Sequence, residues 1–100
     1  MSLFEALADP HRRQILDLLR DGERPAGDLV DALTLSQPGG SRHLRILRDA
    51  GLVTVRKDAQ RRIYRLAPQH LAELDAWLEP YRKHWRGRLD ALEDHLNKES

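Results

Sequence analysis

Between Ser36 and Arg48 the chain gathers side chains that exchange hydrogen bonds with flat polar edges and anions: Ser36, Gln37, Ser41, Arg42, His43, Arg45 and Arg48. Taken at the helical period, positions 40, 44 and 47 turn inward, with Ile46 and Ala50 at the edge. Gln37, Ser41, Arg42, Arg45 and Arg48 then turn outward. A glutamine amide can pair with adenine, an arginine fork with guanine or phosphate, and a serine with either. The first turn of such a helix also offers free N–H groups to a phosphate. His43 falls between the two faces, so a base or phosphate contact and simple packing both stay open. A second basic group, Arg56, Lys57, Arg61 and Arg62, follows within fourteen residues of Arg48.

Bond-making chemistry finds no equivalent constellation. Ser41 and His43 stand two apart on one helix and point in different directions, which rules out a nucleophile–base pair. No glycine-rich phosphate loop or paired-carboxylate site occurs, so the chain reads as a non-enzyme. It has no cysteine, which excludes a disulfide framework, a thiolate metal site and a cysteine nucleophile. His84 and His95 lie eleven residues apart on one helical face and could meet in a dimer, but acidic partners at metal-site spacing are missing. His11 and His70 sit in first turns of helices and read as surface residues. No cofactor is implied.

The charge distribution supports a polyanion-binding surface. Net charge is only +1. Residues 42–65 nevertheless carry eight basic side chains (Arg42, Arg45, Arg48, Arg56, Lys57, Arg61, Arg62, Arg65) against Asp49 and Asp58, a local +6. The flanking segments are net acidic. A basic stretch between acidic flanks marks one face for an anionic partner. No apolar run reaches membrane-spanning length and no signal peptide is visible, so a soluble cytoplasmic protein is expected.

One hundred residues suit a single domain, and the periodicities lay out its elements. Leu3, Phe4 and Leu7 form one face of a short first helix. Asp9-Pro10 is an N-cap followed by proline at the first helical position, and the helix it opens buries Ile15, Leu16 and Leu19 before Gly22. A third helix, from about Ala26 to Leu33, turns Leu29, Val30 and Leu33 inward and has no obvious cap. Thr34-Leu35-Ser36 connects it to the fourth, which Ser36 caps and Gly51 ends. Two helices joined by so short a turn make a helix-turn-helix. Val53 and Val55 then alternate with polar residues, and Ile63 and Tyr64 follow the turn Asp58-Ala59-Gln60, predicting a β-hairpin with a basic tip. The pattern leaves open which of Ile63 and Tyr64 faces inward. From Pro68 the helical period returns through Leu71, Leu74, Leu78, Tyr81, Trp85, Leu89, Leu92 and Leu96, widened by Trp77. Pro80 is expected to kink or divide this helix, and Lys98-Glu99-Ser100 to fray.

The run Leu35-Ser36-Gln37-Pro38-x-x-Ser41-Arg42-His43-Leu44-x-x-Leu47-x-x-Ala50-Gly51-Leu52-Val53, preceded by Ala8-Asp9-Pro10-x-Arg12-x-x-Ile15-Leu16, resembles the ArsR family of winged-helix transcriptional regulators. The likeness spans almost the whole chain, including Arg61-Arg62-Ile63-Tyr64-Arg65-Leu66. It implies a mainly α winged helix-turn-helix domain over 1–100, with the helix-turn-helix at 26–50 and the wing at 52–66. It also implies a homodimer, built from helices at 1–8 and 68–97, that represses transcription at a palindromic operator in double-stranded DNA. Leu3, Phe4, Leu7, Leu74, Trp77, Leu78, Tyr81, Trp85, Leu89 and Leu92 would form its interface. Trp77, Tyr81 and Trp85 could instead line a ligand pocket, but aromatics at helical spacing more often pack a dimer core.

Two departures qualify the resemblance. Relatives that sense soft metals carry a cysteine pair near the third helix, where this chain has Arg24-Pro25-Ala26-Gly27-Asp28-Leu29-Val30. Relatives that sense zinc-type metals carry Asp-x-His and then His-x-x-Glu or His-x-x-His along the last helix. No Asp-x-His occurs along that helix here, and Gly87 stands three residues after His84. A metal-independent repressor is therefore expected. A metal- or small-molecule-sensing repressor, or a dimer that has lost DNA binding, are the alternatives. The second departure is Gly39-Gly40. Position 40 usually holds an apolar residue in this family, so glycine there is expected to leave a packing deficit and a mobile first turn.

Overall fold

The computed structural model describes residues 2–33 and 36–99. Helix α1 (Leu3–Ala8) starts at Ser2, whose hydroxyl accepts from the Glu5 amide at 3.1 Å. Six residues are far too few for a self-supporting helix. Its C-terminal turn is completed from outside: the carbonyls of Glu5 and Ala6 accept from Arg12 (3.0 and 2.7 Å), and those of Leu7 and Ala8 from Arg13 (2.9 and 3.0 Å). Both arginines belong to α2 (Pro10–Leu19), which opens as expected on Asp9, its carboxylate accepting from the amides of His11 and Arg12. Ile15 and Leu19 of α2 enter the core.

Strand β1 (Arg24–Pro25) follows and pairs antiparallel with β3, Arg24 opposite Tyr64 and Pro25 opposite Ile63. The expected two-stranded hairpin is thus the larger part of a three-stranded sheet ordered β1-β3-β2. Two residues are too few to show alternation, and a proline is tolerated there because the strand lies at the sheet edge. Arg24 Nε donates to the Leu18 carbonyl at 3.0 Å and ties this edge back to α2.

Helix α3 (Ala26–Ala32) buries Leu29 and Val30, and Pro25 precedes it with no side-chain cap. Thr34 and Leu35, read above as part of the connector, lie outside the described residues. Helix α4 (Gln37–Asp49) is capped by Ser36, whose hydroxyl accepts from the Gly39 amide at 3.3 Å. At its other end Gly51 (φ 77°) turns left-handed, while Gly51 N–H reaches Arg48 C=O and Leu52 N–H reaches Leu47 C=O, each at 3.0 Å. That pair of bonds is the Schellman closure, and glycine is required there on two counts. The conformation penalises a side chain, and a Cβ would stand 2.8 Å from the His70 ring.

Strands β2 (Val53–Asp58) and β3 (Arg61–Leu66) pair in register from Val53–Leu66 to Asp58–Arg61. Both Ile63 and Tyr64 are buried, which settles the open choice by admitting each; β3 is the central strand. A 3-10 turn (Pro68–His70) leads into α5 (Leu71–Glu99), which is one continuous helix. Pro80 does not divide it, and Lys98 and Glu99 are helical rather than frayed, while Ser100 lies outside the described residues. Arg82 bridges the proline. It donates to the Asp75 carbonyl at 2.9 Å and Glu79 Oε2 at 2.7 Å, and pairs with the Asp75 carboxylate at 2.7 Å. Arg82 thus ties the turn before Pro80 to the turn after it, though not through the Ala76 carbonyl that the proline leaves without a donor.

Gly40 corrects a further expectation. It is buried, and a Cβ on it would approach the two Val30 methyls to 2.6 and 2.9 Å. The space is filled from α3, so there is no packing deficit.

Candidate nucleic-acid interface

The inward positions of α4 are Gly40, Leu44 and Leu47, all buried, so the helix is held by its apolar face in the orientation its period implies. Gln37, Ser41, Arg42, Arg45 and Arg48 are exposed, and Ser36 stands exposed at the cap. Arg45 and Arg48 then converge with Arg62 of β3 around a cleft of about 290 Å³, whose floor is Leu44 and Tyr64. A second cleft of about 320 Å³ shares Arg48 and Arg62 and adds Arg56 and Lys57. Helix and hairpin therefore present one continuous basic surface, concave where they meet. Among the described residues Arg45, Lys57 and Arg62 carry no recorded ion pair, which leaves their charge available to an anion.

Several expected contact residues are engaged within the chain, Arg48 with its neighbour Asp49 at 4.0 Å and two on the wing. Arg56 is hydrogen-bonded and ion-paired to Glu23, in the segment between α2 and β1. That bond holds the Glu23 carboxyl below its usual range and raises the Arg56 guanidinium. Arg61 lies 3.5 Å from Asp58 across the hairpin turn. On the same wing face as Arg56, Arg65 Nε donates to Thr54 Oγ1 at 3.1 Å.

His43 is half-buried and faces α2. Its Nδ1 lies 3.3 Å from Arg12 Nη1, and its ring centroid 5.7 Å from that of His11. A guanidinium can only donate, so Nδ1 accepts and the imidazole proton sits on Nε2. Burial, then the charges of Arg12, His11 and Arg42, hold its pKa below the ordinary value, against the opposing pull of Asp9. Asp9 is itself held low: burial opposes its ionisation, but the His11 and Arg12 amides prevail.

Sequence reasoning missed Arg12, a buried arginine. Its position carried a signal, since it stands three residues before Ile15 and seven before Leu19, on the buried stripe of α2. Glu23 carried none. Leu3, assigned above to a dimer face, is buried in the chain's own core. Phe4 is exposed and meets Trp77 edge-on at 5.6 Å. Beyond it Tyr81, Trp85, Leu89, Leu92 and Leu96 form an uncovered stripe along α5, and Leu7, Leu74 and Leu78 are half-buried beside its start. Trp77 and Tyr81 pack ring to ring at 4.8 Å on this open helix surface, which gives them no enclosed pocket to line.

Comparison with known proteins agrees with this architecture. The family model described as bacterial regulatory protein, arsR family, matches residues 9–55. The transcriptional repressor SdpR of Bacillus subtilis is 36% identical over 77 residues, covering 77% of this chain and 86% of that protein. The HTH-type transcriptional repressor SmtB of Mycobacterium tuberculosis is 46% identical over 72 residues, 72% of this chain, and the chain spans 53% of that relative's length. Among solved structures, the homodimeric winged helix-turn-helix DNA-binding domain Mb0332 of Mycobacterium bovis is 35% identical with a TM-score of 0.64. That match covers 80% of this chain and 74% of the other. With its winged helix-turn-helix fold and these relatives, the chain belongs to the arsR family of bacterial regulatory proteins.

Proposed function

We propose that this chain is a homodimeric, sequence-specific DNA-binding repressor that needs no metal ion to hold its operator. The observation that carries the reading is the continuous exposed surface of Gln37, Ser41, Arg45 and Arg48 on α4 with Lys57 and Arg62 on the wing. Thirteen helical residues extend roughly 20 Å, enough to lie along a major groove while the hairpin meets the flanking backbone. Ser36, Gln37, Ser41 and Arg42 would discriminate bases, whereas His43, expected among them, is turned to α2 and held by Arg12. Arg48, Lys57, Arg61 and Arg62 supply affinity and its salt dependence. Arg56 contributes through its bond to Glu23 as well as through charge. The homodimer is supported by the apolar stripe of α5 with Phe4, and by the dimeric state stated for Mb0332.

Metal independence rests on chemistry. The chain has no thiolate ligand, and the acidic and histidine spacings of the zinc-type pattern are absent from α5. The relatives' names, repressors throughout the two curated cases above, support repression over activation.

The test is selection of duplexes from a random library, then fluorescence anisotropy with and without a chelator. Expected is a palindromic site bound at least about a thousandfold tighter than random duplex, chelator or not. Equal affinity for all duplexes would refute sequence-specific reading. Loss of the preference in chelator would refute metal independence.

A further inference from the structure

We propose that Arg12 is a positioning residue for operator reading: it locks the reading helix α4, through His43, to the C-terminal turn of α1. The proposal rests on the reading of α4 as the DNA-reading helix and of α1 as part of the dimer surface.

Arg12 is nearly fully buried, and each end of its guanidinium is committed. Nε donates to the Ala6 carbonyl (2.7 Å) and Nη2 to the Glu5 carbonyl (3.0 Å), while Nη1 donates to His43 Nδ1 (3.3 Å). The Asp9 carboxylate stands 3.9 Å from Nη1 and balances the charge. A guanidinium is a rigid planar fork, so donors aimed at α1 fix the direction of the donor aimed at α4. Displacement of the α1 terminus therefore either moves His43 or breaks that bond. On its opposite side α1 meets α5 through Phe4 and Trp77. Surface residues of the assembly face thus connect to the middle of the reading helix through one side chain.

The same cluster has the composition of a metal site, since ligand atoms of Asp9, His11 and His43 lie within 4.8 Å of one another. Its cation is already present as Arg12. A divalent ion on His43 Nδ1 would compete with the guanidinium for that atom, so the cluster is read as a salt-bridged latch rather than a metal centre. The groups facing His43 are Asp9, His11 and Arg12 from the start of α2 and Arg42 on its own helix. A protonated His43 cannot accept from Arg12, so acid opens the latch.

The experiment uses the full chain as Arg12→Lys, His43→Ala and the double variant, with the selected palindrome and a random duplex as probes. Dimer content is monitored by sedimentation. Lysine keeps the charge but cannot serve both carbonyls and the imidazole together. Expected for Arg12→Lys is about a tenfold fall in the palindrome-to-random affinity ratio, with random-duplex affinity within about twofold of the parent. The double variant should lose no more than the worse single variant, because both remove one bond. The parent ratio should also fall as pH drops below about 6.5 into the lowered range of His43, and His43→Gln should abolish that fall. An unchanged ratio in Arg12→Lys, equal losses on both duplexes, or additive losses in the double variant would overturn the latch. Should Arg12→Lys not fold, a pH-independent ratio in the parent chain would overturn it alone. A parent ratio of one would refute operator reading itself, a separate outcome.

Discussion

Gly40 and Val30 show how one contact can invert the meaning of a residue. A glycine inside the reading helix suggests missing methyl groups, but Val30 has moved its own into the space. Alanine at 40 gains about 1 kcal/mol of helix propensity. Against this, overpacking a filled core costs about 1–3 kcal/mol. We expect Gly40→Ala to lower stability in urea denaturation, and Val30→Ala to suppress that loss in the double variant. Additive effects would show that the two positions are not in contact. The titrating pair Asp9 and His43 makes a second expectation at this scale. His43 binds its proton less readily folded than unfolded. Stability therefore declines as pH falls below about 6.5 into its lowered range, and this limb levels off below the folded pKa. Asp9, held low, withdraws stability only as pH falls through about 3.8 and below. Urea midpoints against pH should show two limbs, and His43→Gln should erase the upper one.

Among the elements, the wing is fixed at two places: its strand β3 pairs with β1, and Arg56 of β2 is tied to Glu23. Removing the acid frees a cation while loosening the hairpin. We expect Glu23→Gln to steepen the salt dependence of random-duplex binding by about one unit of slope, since one more phosphate-seeking charge is released. A slope unchanged from the parent would mean that Arg56 already meets DNA. Much of this scale was legible in advance. The α4 stripe, its serine cap and its glycine stop follow from local chemistry that tertiary contacts did not override. The basic faces of α4 and the hairpin were legible for the same reason. Strand β1 was not, because two residues including a proline have no period to detect. Nor was the role of Arg12, because the carbonyls that satisfy it exist as acceptors only once α1 has folded back onto α2. The unbroken α5 was hidden in the same way: Arg82, which spans Pro80, becomes a bridge only in three dimensions.

At the scale of the molecule, the chain measures 63 × 25 × 21 Å, with a radius of gyration of 18.4 Å. A compact domain of this length would have about 13 Å. The excess lies in α5, which projects with Trp85 63% exposed and Leu92 and Leu96 more than half exposed. A helix with so large an apolar stripe needs a partner to bury it, and a second copy supplies a matching one. We expect Trp85→Glu with Leu89→Glu to convert the dimer to monomer in sedimentation, and to weaken palindrome binding far more than random-duplex binding. A dimer of parental strength would place the interface elsewhere.

The borrowed C-terminus of α1 bears on the order in which the protein comes into being. Six residues whose last four carbonyls depend on Arg12 and Arg13 cannot hold a helix until α2 is in place. The surface that carries Phe4 is therefore created by folding and is absent from the nascent chain. In the dimer proposed above, each protomer would fold α1 onto α2 before it acquires the Phe4 patch that meets its partner. The Phe4 patch thus becomes adhesive only after α2 has folded.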